Sequence, residues 1–170
     1  IHRNKNLLVK MDIKDFFPTI SFARVMGMFQ AVPFEFTKKE AVILAQTCCL
    51  DNNGSIPQGG VTSPYISNML CRKLDSRLSN LAKLKRTNYT RYADDITFST
   101  NNTFNTDKFI QIVKEIINDE GFEVNENKTK LLRKSNRQIV TGIVVNEGLN
   151  VNRRYINNIR ALLHNCYKDN

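Results

Sequence analysis

Three acidic residues carry the chemistry that this sequence suggests first: Asp12, at the end of a short apolar run, and the adjacent pair Asp94-Asp95, between two β-prone runs. Carboxylates are hard oxygen donors and suit Mg²⁺. Two such ions about 4 Å apart can activate a hydroxyl and stabilise a departing pyrophosphate in an in-line displacement at phosphorus. The plainer alternative is that Asp94-Asp95 only forms a turn and Asp12 only ends a strand in solvent, because acidic residues are common in turns for conformational reasons. Spacing along the chain does not decide between these, since Asp12 and Asp94 share an ion only if the fold brings their strands together.

The elements that must position these residues can be read from the hydrophobic pattern. Residues 7–13 form a strand that ends at Asp12-Ile13, after which the chain turns at Pro18. Ser21 caps a helix running to about Val32, and Thr37 caps a second from Lys38 to about Leu50, broken by Asp51-Asn52-Asn53-Gly54. Residues 56–60 hold a proline and two glycines, so they form a loop, and Thr62 caps one long helix reaching about Lys83. Strands 89–93 and 96–100 make a hairpin with Asp94-Asp95 at its tight turn. A helix from Thr106 ends at Gly121, strands follow near Val124, at 130–132 and at 138–145, and residues 153–167 place Ile156, Ile159, Leu162 and Leu163 on one helical face. Mixed strands and helices with hairpins indicate an α+β fold.

Composition bounds the partners. The 170 residues carry 25 Lys and Arg against 16 Asp and Glu, a net charge of +9, which favours a polyanion such as nucleic acid or an anionic membrane surface. No apolar run approaches the roughly 18 residues of a membrane span, and no cleavable signal is visible, so a soluble, cytoplasmic protein without a membrane partner is expected. Cys48, Cys49, Cys71 and Cys166 match no zinc spacing and are expected to be reduced thiols. The sequence opens on Ile1 and closes within a helical pattern, so it reads as a piece of a longer chain.

Tyr92-Ala93-Asp94-Asp95 resembles the Y-x-D-D signature of reverse transcriptases, and Ile96-Thr97-Phe98-Ser99 extends the likeness toward the retron branch. Met11-Asp12-Ile13-Lys14-Asp15-Phe16-Phe17-Pro18 is similar to the first catalytic motif of that family. The resemblance implies that Asp12, Asp94 and Asp95, with the main chain of Ile13, hold two Mg²⁺ ions. It implies that Ile13, Lys14, Asp15 and Phe16 receive the nucleotide triphosphate through main chain and that the Phe17 ring excludes a ribose 2′-hydroxyl. An aromatic packed in the core beside Phe16 is the other reading of Phe17.

Residues 56–64, Ile-Pro-Gln-Gly-Gly-Val-Thr-Ser-Pro, resemble the family's P-Q-G loop, in which Gln58 and Gly59 meet the nucleotide; Gly60 stands where many relatives carry alanine. Residues 121–129 resemble the element that brings Lys128 to the phosphates as a proton donor, although a lysine is more often a solvated surface residue. Val140-Thr141-Gly142 is similar to the retron V-T-G triplet, which implies nucleic-acid contact at Gly142 as at Tyr92. Arg153 and Arg154 would contact phosphates from a thumb helix, or simply belong to a solvated face.

The fold so implied is a polymerase palm of the right-hand type, with residues 1–150 as palm and part of the fingers and 151–170 as the start of the thumb. The activity implied is RNA-directed DNA synthesis from deoxynucleotide triphosphates on a structured non-coding RNA, leaving a DNA product, in an antiphage unit with an effector protein. Two other readings stand beside it: an intron, diversity-generating or phage-exclusion enzyme of the same family, and a catalytically silent RNA-binding scaffold.

Overall fold

The computed structural model describes residues 1–49, 54–151 and 153–168. Its centre is the strand β1 (Leu7–Lys14), whose alternation sends Val9, Met11 and Ile13 into the core and leaves Lys10 and Asp12 on the opposite face. β1 pairs antiparallel with β3 (Asp95–Thr100), and β3 pairs with β2 (Asn88–Tyr92). On its other side β1 pairs with β4 (Glu123–Val124) near its end and with β5 (Lys130–Arg133) nearer its start, both antiparallel.

Helices supply the core against the inner face of this sheet. After β1, the single turn α1 (Phe16–Thr19) holds Pro18, so the turn expected there is one helical turn, with proline in the first-turn position that tolerates it. α2 (Phe22–Gln30) is capped by the Ser21 hydroxyl, and α3 (Lys38–Cys48) by Thr37, where Glu40 closes a reciprocal capping box. The helix break expected at residues 51–53 and the helix end expected at Leu50 lie outside the described residues.

The single helix expected up to Lys83 is two, α4 (Ser63–Leu70) and α5 (Arg72–Leu84), meeting at the fully buried Cys71. α5 buries Leu74, Leu78 and Leu81, one apolar row at helical spacing. Thr62 makes no side-chain cap; instead the Ser63 hydroxyl donates to the Pro57 carbonyl at 2.6 Å and ties the helix start to the loop before it. α6 (Thr106–Asp119) buries Phe109, Val113 and Ile117 in the same way. The carbonyls just past its end, those of Glu120 and Gly121, accept from the Arg24 guanidinium, which also lies over the Phe122 ring.

Residues 138–145, expected as strand with a hairpin near Val140-Thr141-Gly142, form the hairpin of β6 (Ile139–Val140) and β7 (Ile143–Val144), to which β8 (Asn150–Val151) adds a third strand. Thr141 and Gly142 both have positive φ, 46° and 84°, which makes the two-residue turn that matches strand twist. The last described helix, α7 (Arg153–Lys168), leaves Leu162 and Leu163 exposed. No helix among the described residues is long and apolar enough to cross a membrane.

Candidate active site

Strand register brings the distant carboxylates together. Asp12 on β1 lies directly opposite Asp95 on β3. The β2–β3 hairpin closes through only Ala93 and Asp94, because Ala93 takes the left-handed conformation at φ 51°. The turn expected at Asp94-Asp95 is thus one residue earlier, and Asp95 is already a strand residue. The Ile13 amide donates to the Asp94 carbonyl at 3.0 Å, fastening the turn to β1 just beyond Asp12.

Asp12, Asp94 and Asp95 line one cleft of about 360 Å³ with Lys10, Met11, Lys128 and Lys130. The Lys128 ammonium stands 3.0 Å from Asp12, and that of Lys10 stands 2.9 Å from Asp95. Lys128 reaches the cleft because the Asn125 amide bonds to the Asp12 carbonyl, so the 3₁₀ turn Glu126–Lys128 sits against the end of β1. Burial holds the Asp94 carboxyl above its ordinary pKa, with the Asp12 and Asp95 charges adding and its own backbone amide and Lys128 opposing. The hydrogen bond and charge of Asp12 raise the Lys128 ammonium, so it is protonated at neutral pH.

Among the described residues, no group of three or more His, Cys, Asp or Glu side chains is gathered closely enough to hold a metal ion as it stands. The donor set nevertheless fits hard divalent cations: three carboxylates open on one cleft, and two of them already engage positive charge there.

A second cavity, of about 370 Å³, shares Asp94 and is lined by Phe17, Pro64, Ser67, Asn68, Arg91, Tyr92 and Ala93. Phe17 is half-buried there and meets Phe16 edge-on, whereas Phe16 is buried and stacks on Phe122. The side chain of Phe16 is therefore core, and that of Phe17 is both a core neighbour and a cavity wall. Tyr92 is 73% exposed at the rim.

The other residues singled out from the sequence lie elsewhere. Gln58 and Gly59 are exposed and line neither cavity. Lys14 pairs with Glu123 in solvent, and the exposed Asp15, with φ 46°, precedes α1. Gly142 is at the β6–β7 turn, and Arg153 and Arg154 are exposed on α7.

Residues that were not expected complete the site. Lys10 follows from strand alternation, since residues two apart share a face with Asp12. The cluster of Arg91, Asp75, Tyr89 and Asn68 had no local signal: Asp75 accepts from the Tyr89 hydroxyl at 2.6 Å and from Arg91 twice at 2.7 Å.

Comparison with known proteins bears on the family and the fold. The family model described as reverse transcriptase (RNA-dependent DNA polymerase) matches residues 1–145. The retron Mx65 reverse transcriptase of Myxococcus xanthus is 34% identical over 96% of this chain and 42% of its own length. The retron Ec86 reverse transcriptase of Escherichia coli is 32% identical over 98% of this chain and 51% of its own length. The chain thus spans about half the length of these relatives. Among solved structures, a Candida albicans telomerase in complex with a fragment of telomeric RNA aligns with TM-score 0.60 at 13% identity, over 86% of this chain and 30% of that one. The foamy viral protease-reverse transcriptase in complex with RNA/DNA hybrid aligns with TM-score 0.57 at 19% identity, over 94% of this chain and 19% of that one. At such identities the shared property is the fold, the α+β polymerase palm.

Proposed function

Because the chain belongs to the reverse transcriptase family and is of the retron type, we propose that the full-length protein is an RNA-directed DNA polymerase that copies a structured non-coding RNA into DNA. The observation that carries this reading is the cleft in which Asp12 and Asp95 face each other across two strands, with Asp94 at the adjoining turn. Residues 1–150 serve as palm with part of the fingers, and residues 151–170 begin the thumb.

Asp12, Asp94 and Asp95, with the main chain of Ile13, would hold two Mg²⁺ ions. Bound there, the ions supply activation of the primer hydroxyl and charge stabilisation for in-line transfer. The chain's own residues do the rest. Main chain at Ile13, Lys14, Asp15 and Phe16 receives the triphosphate, and the Phe17 ring, a wall of the cavity beside Asp94, limits space at the sugar. Gln58 and Gly59 approach the nucleotide from the exposed loop before α4. Lys128 Nζ, kept protonated by its bond to Asp12, would give its proton to the departing pyrophosphate. Tyr92, Gly142, Arg153 and Arg154 contact primer and template. The physiological setting we propose is antiphage defence in the cytoplasm, with an effector protein as partner.

Primer extension by the full-length protein on an RNA template, with deoxynucleotides and Mg²⁺, tests this reading. Wild type extends and Asp94→Ala does not, while both fold alike. Synthesis retained by Asp94→Ala would refute the role of the carboxylate. Failure of wild type to extend on its cognate RNA, together with tight RNA binding, would favour a silent scaffold.

A further inference from the structure

Resting on the polymerase reading, we infer that Arg91 is a positioning residue that sets the catalytic turn, joining α4 and α5 to the backbone that carries Asp94. Its side chain is 4% exposed. Nε and Nη2 donate to the two oxygens of Asp75 on α5, each at 2.7 Å, in the parallel fork that guanidinium and carboxylate make best. Nη2 also donates to Asn68 Oδ1 on α4 at 3.2 Å. Nη1 donates to the Ala93 carbonyl at 3.0 Å.

A buried charge requires a partner, and Asp75 satisfies that need alone. The bond to Ala93 is additional, and it falls on the one residue of the turn that is left-handed, at φ 51°. Left-handed backbone is unfavourable for alanine, and a hydrogen bond from a charged donor is strong enough to hold it. The next residue, Asp94, is fixed from the other side by the Ile13 amide. The turn is therefore pinned between β1 and Arg91, and the Asp94 carboxylate takes its position from both.

Arg91 does line the cavity shared with Phe17, Tyr92 and Asp94. Four of its five N–H groups are already committed to protein acceptors, however, which leaves little for a ligand. Tyr89 provides the internal comparison: its hydroxyl binds the same Asp75 but makes no hydrogen bond to the turn. Lysine cannot reproduce a planar fork with a fourth bond at its side, so Arg91→Lys is not conservative here.

The test uses the full-length protein with wild type, Arg91→Lys, Tyr89→Phe and Asp94→Ala, in primer extension well below the melting temperature, together with residue-resolved amide exchange. For Arg91→Lys we expect kcat to fall by about 10²-fold, the cost of a displacement near 1 Å in a catalytic group, while the KM for the nucleotide stays within about threefold. For Tyr89→Phe we expect a lower melting temperature and kcat within about twofold of wild type, because the bond to Ala93 remains. Exchange at the Ile13 amide, relative to the Met11 and Ile96 amides of the same strands, should quicken by about tenfold or more in Arg91→Lys and not in Tyr89→Phe.

A folded Arg91→Lys with unchanged kcat overturns the inference, as does a raised KM at constant kcat, which would make Arg91 a binding residue. Equal losses of kcat in both variants would reduce the cluster to general support and also overturn it. If wild type does not extend, the polymerase reading fails and the Ile13 exchange decides by itself: faster exchange keeps Arg91 as the setter of the turn, and unchanged exchange overturns that. Should Arg91→Lys not fold, the double variant Arg91→Gln with Asp75→Asn removes both buried charges and faces the same measurements with the same expectations.

Discussion

Lowering the pH from 7.5 to 5 should destabilise the palm by about 2 kcal/mol through His2 alone, which bridges β2 and β3 near the end of the hairpin remote from Asp94. Its Nδ1 lies 2.7 Å from Ser99 Oγ and its Nε2 lies 2.8 Å from Thr90 Oγ1, and the residue is 5% exposed. Burial, with the Lys5 charge adding, lowers its pKa from 6.5 to about 4. A depressed pKa in the folded state means that the unfolded chain takes up the proton first. The stabilisation is therefore whole above about pH 6.5 and is lost as pH falls toward 4. At pH 5 the unfolded imidazole is almost fully charged and the folded one almost neutral, a difference of about 1.5 logarithmic units, or about 2 kcal/mol.

Urea unfolding at the two pH values measures it, comparing wild type with His2→Gln, which can keep one of the two hydroxyl bonds and cannot titrate. Carboxylates contribute equally to both proteins and cancel in the difference. The variant should lose about 2 kcal/mol less than wild type between pH 7.5 and 5. An equal loss in the two proteins would refute the argument, because it would mean that His2 is charged in the fold or as readily protonated there as in the open chain.

Phe17→Ala should widen the cavity beside Asp94 and reduce the preference for deoxynucleotides over ribonucleotides by roughly 10- to 100-fold, measured as the ratio of kcat/KM for single incorporations; an unchanged ratio removes the ring from sugar selection. Gly60→Ala should cost about 1 to 3 kcal/mol, since a Cβ built there lies 2.7 Å from Ser63 Oγ and 2.8 Å from Pro57 Cγ. Adding Ser63→Ala should recover part of that cost in a thermal-melt cycle, and strict additivity would exclude the crowding explanation.

What the sequence disclosed and what it withheld follow from the range of the interactions involved. β1 was legible because its alternation is local, and so were the caps at Ser21 and Thr37, which act within three residues. The candidate carboxylates were legible by resemblance, but their meeting was not, since the pairing of Asp12 with Asp95 spans most of the chain's first hundred residues. The hairpin turn was misplaced by one residue because the choice falls on Ala93, a residue without the usual chemistry of left-handed turns. The interruption at the buried Cys71, whose ψ of 1° departs from helical geometry, leaves no mark in a run without glycine or proline. Arg91 and Asp75 lie 16 residues apart, on a strand and a helix whose packing no periodicity announces.

Electrostatics explains why such a site can exist in a stable sheet. Like charges directly opposite on paired strands repel, and Asp12 and Asp95 are such a pair. Lys10, opposite Thr97 and diagonal to Asp95, supplies the compensating charge from within the same strand pair, and Lys128 supplies it to Asp12 from the segment after α6. Among the described residues Asp94 makes no such ion pair, and its carboxyl is held above its ordinary pKa chiefly by burial, with the Asp12 and Asp95 charges adding. On the polymerase reading this asymmetry is useful. The carboxyl at the turn has no direct lysine partner for an incoming cation to displace, and the two lysines offset the repulsion between Asp12 and Asp95 across the strand pair.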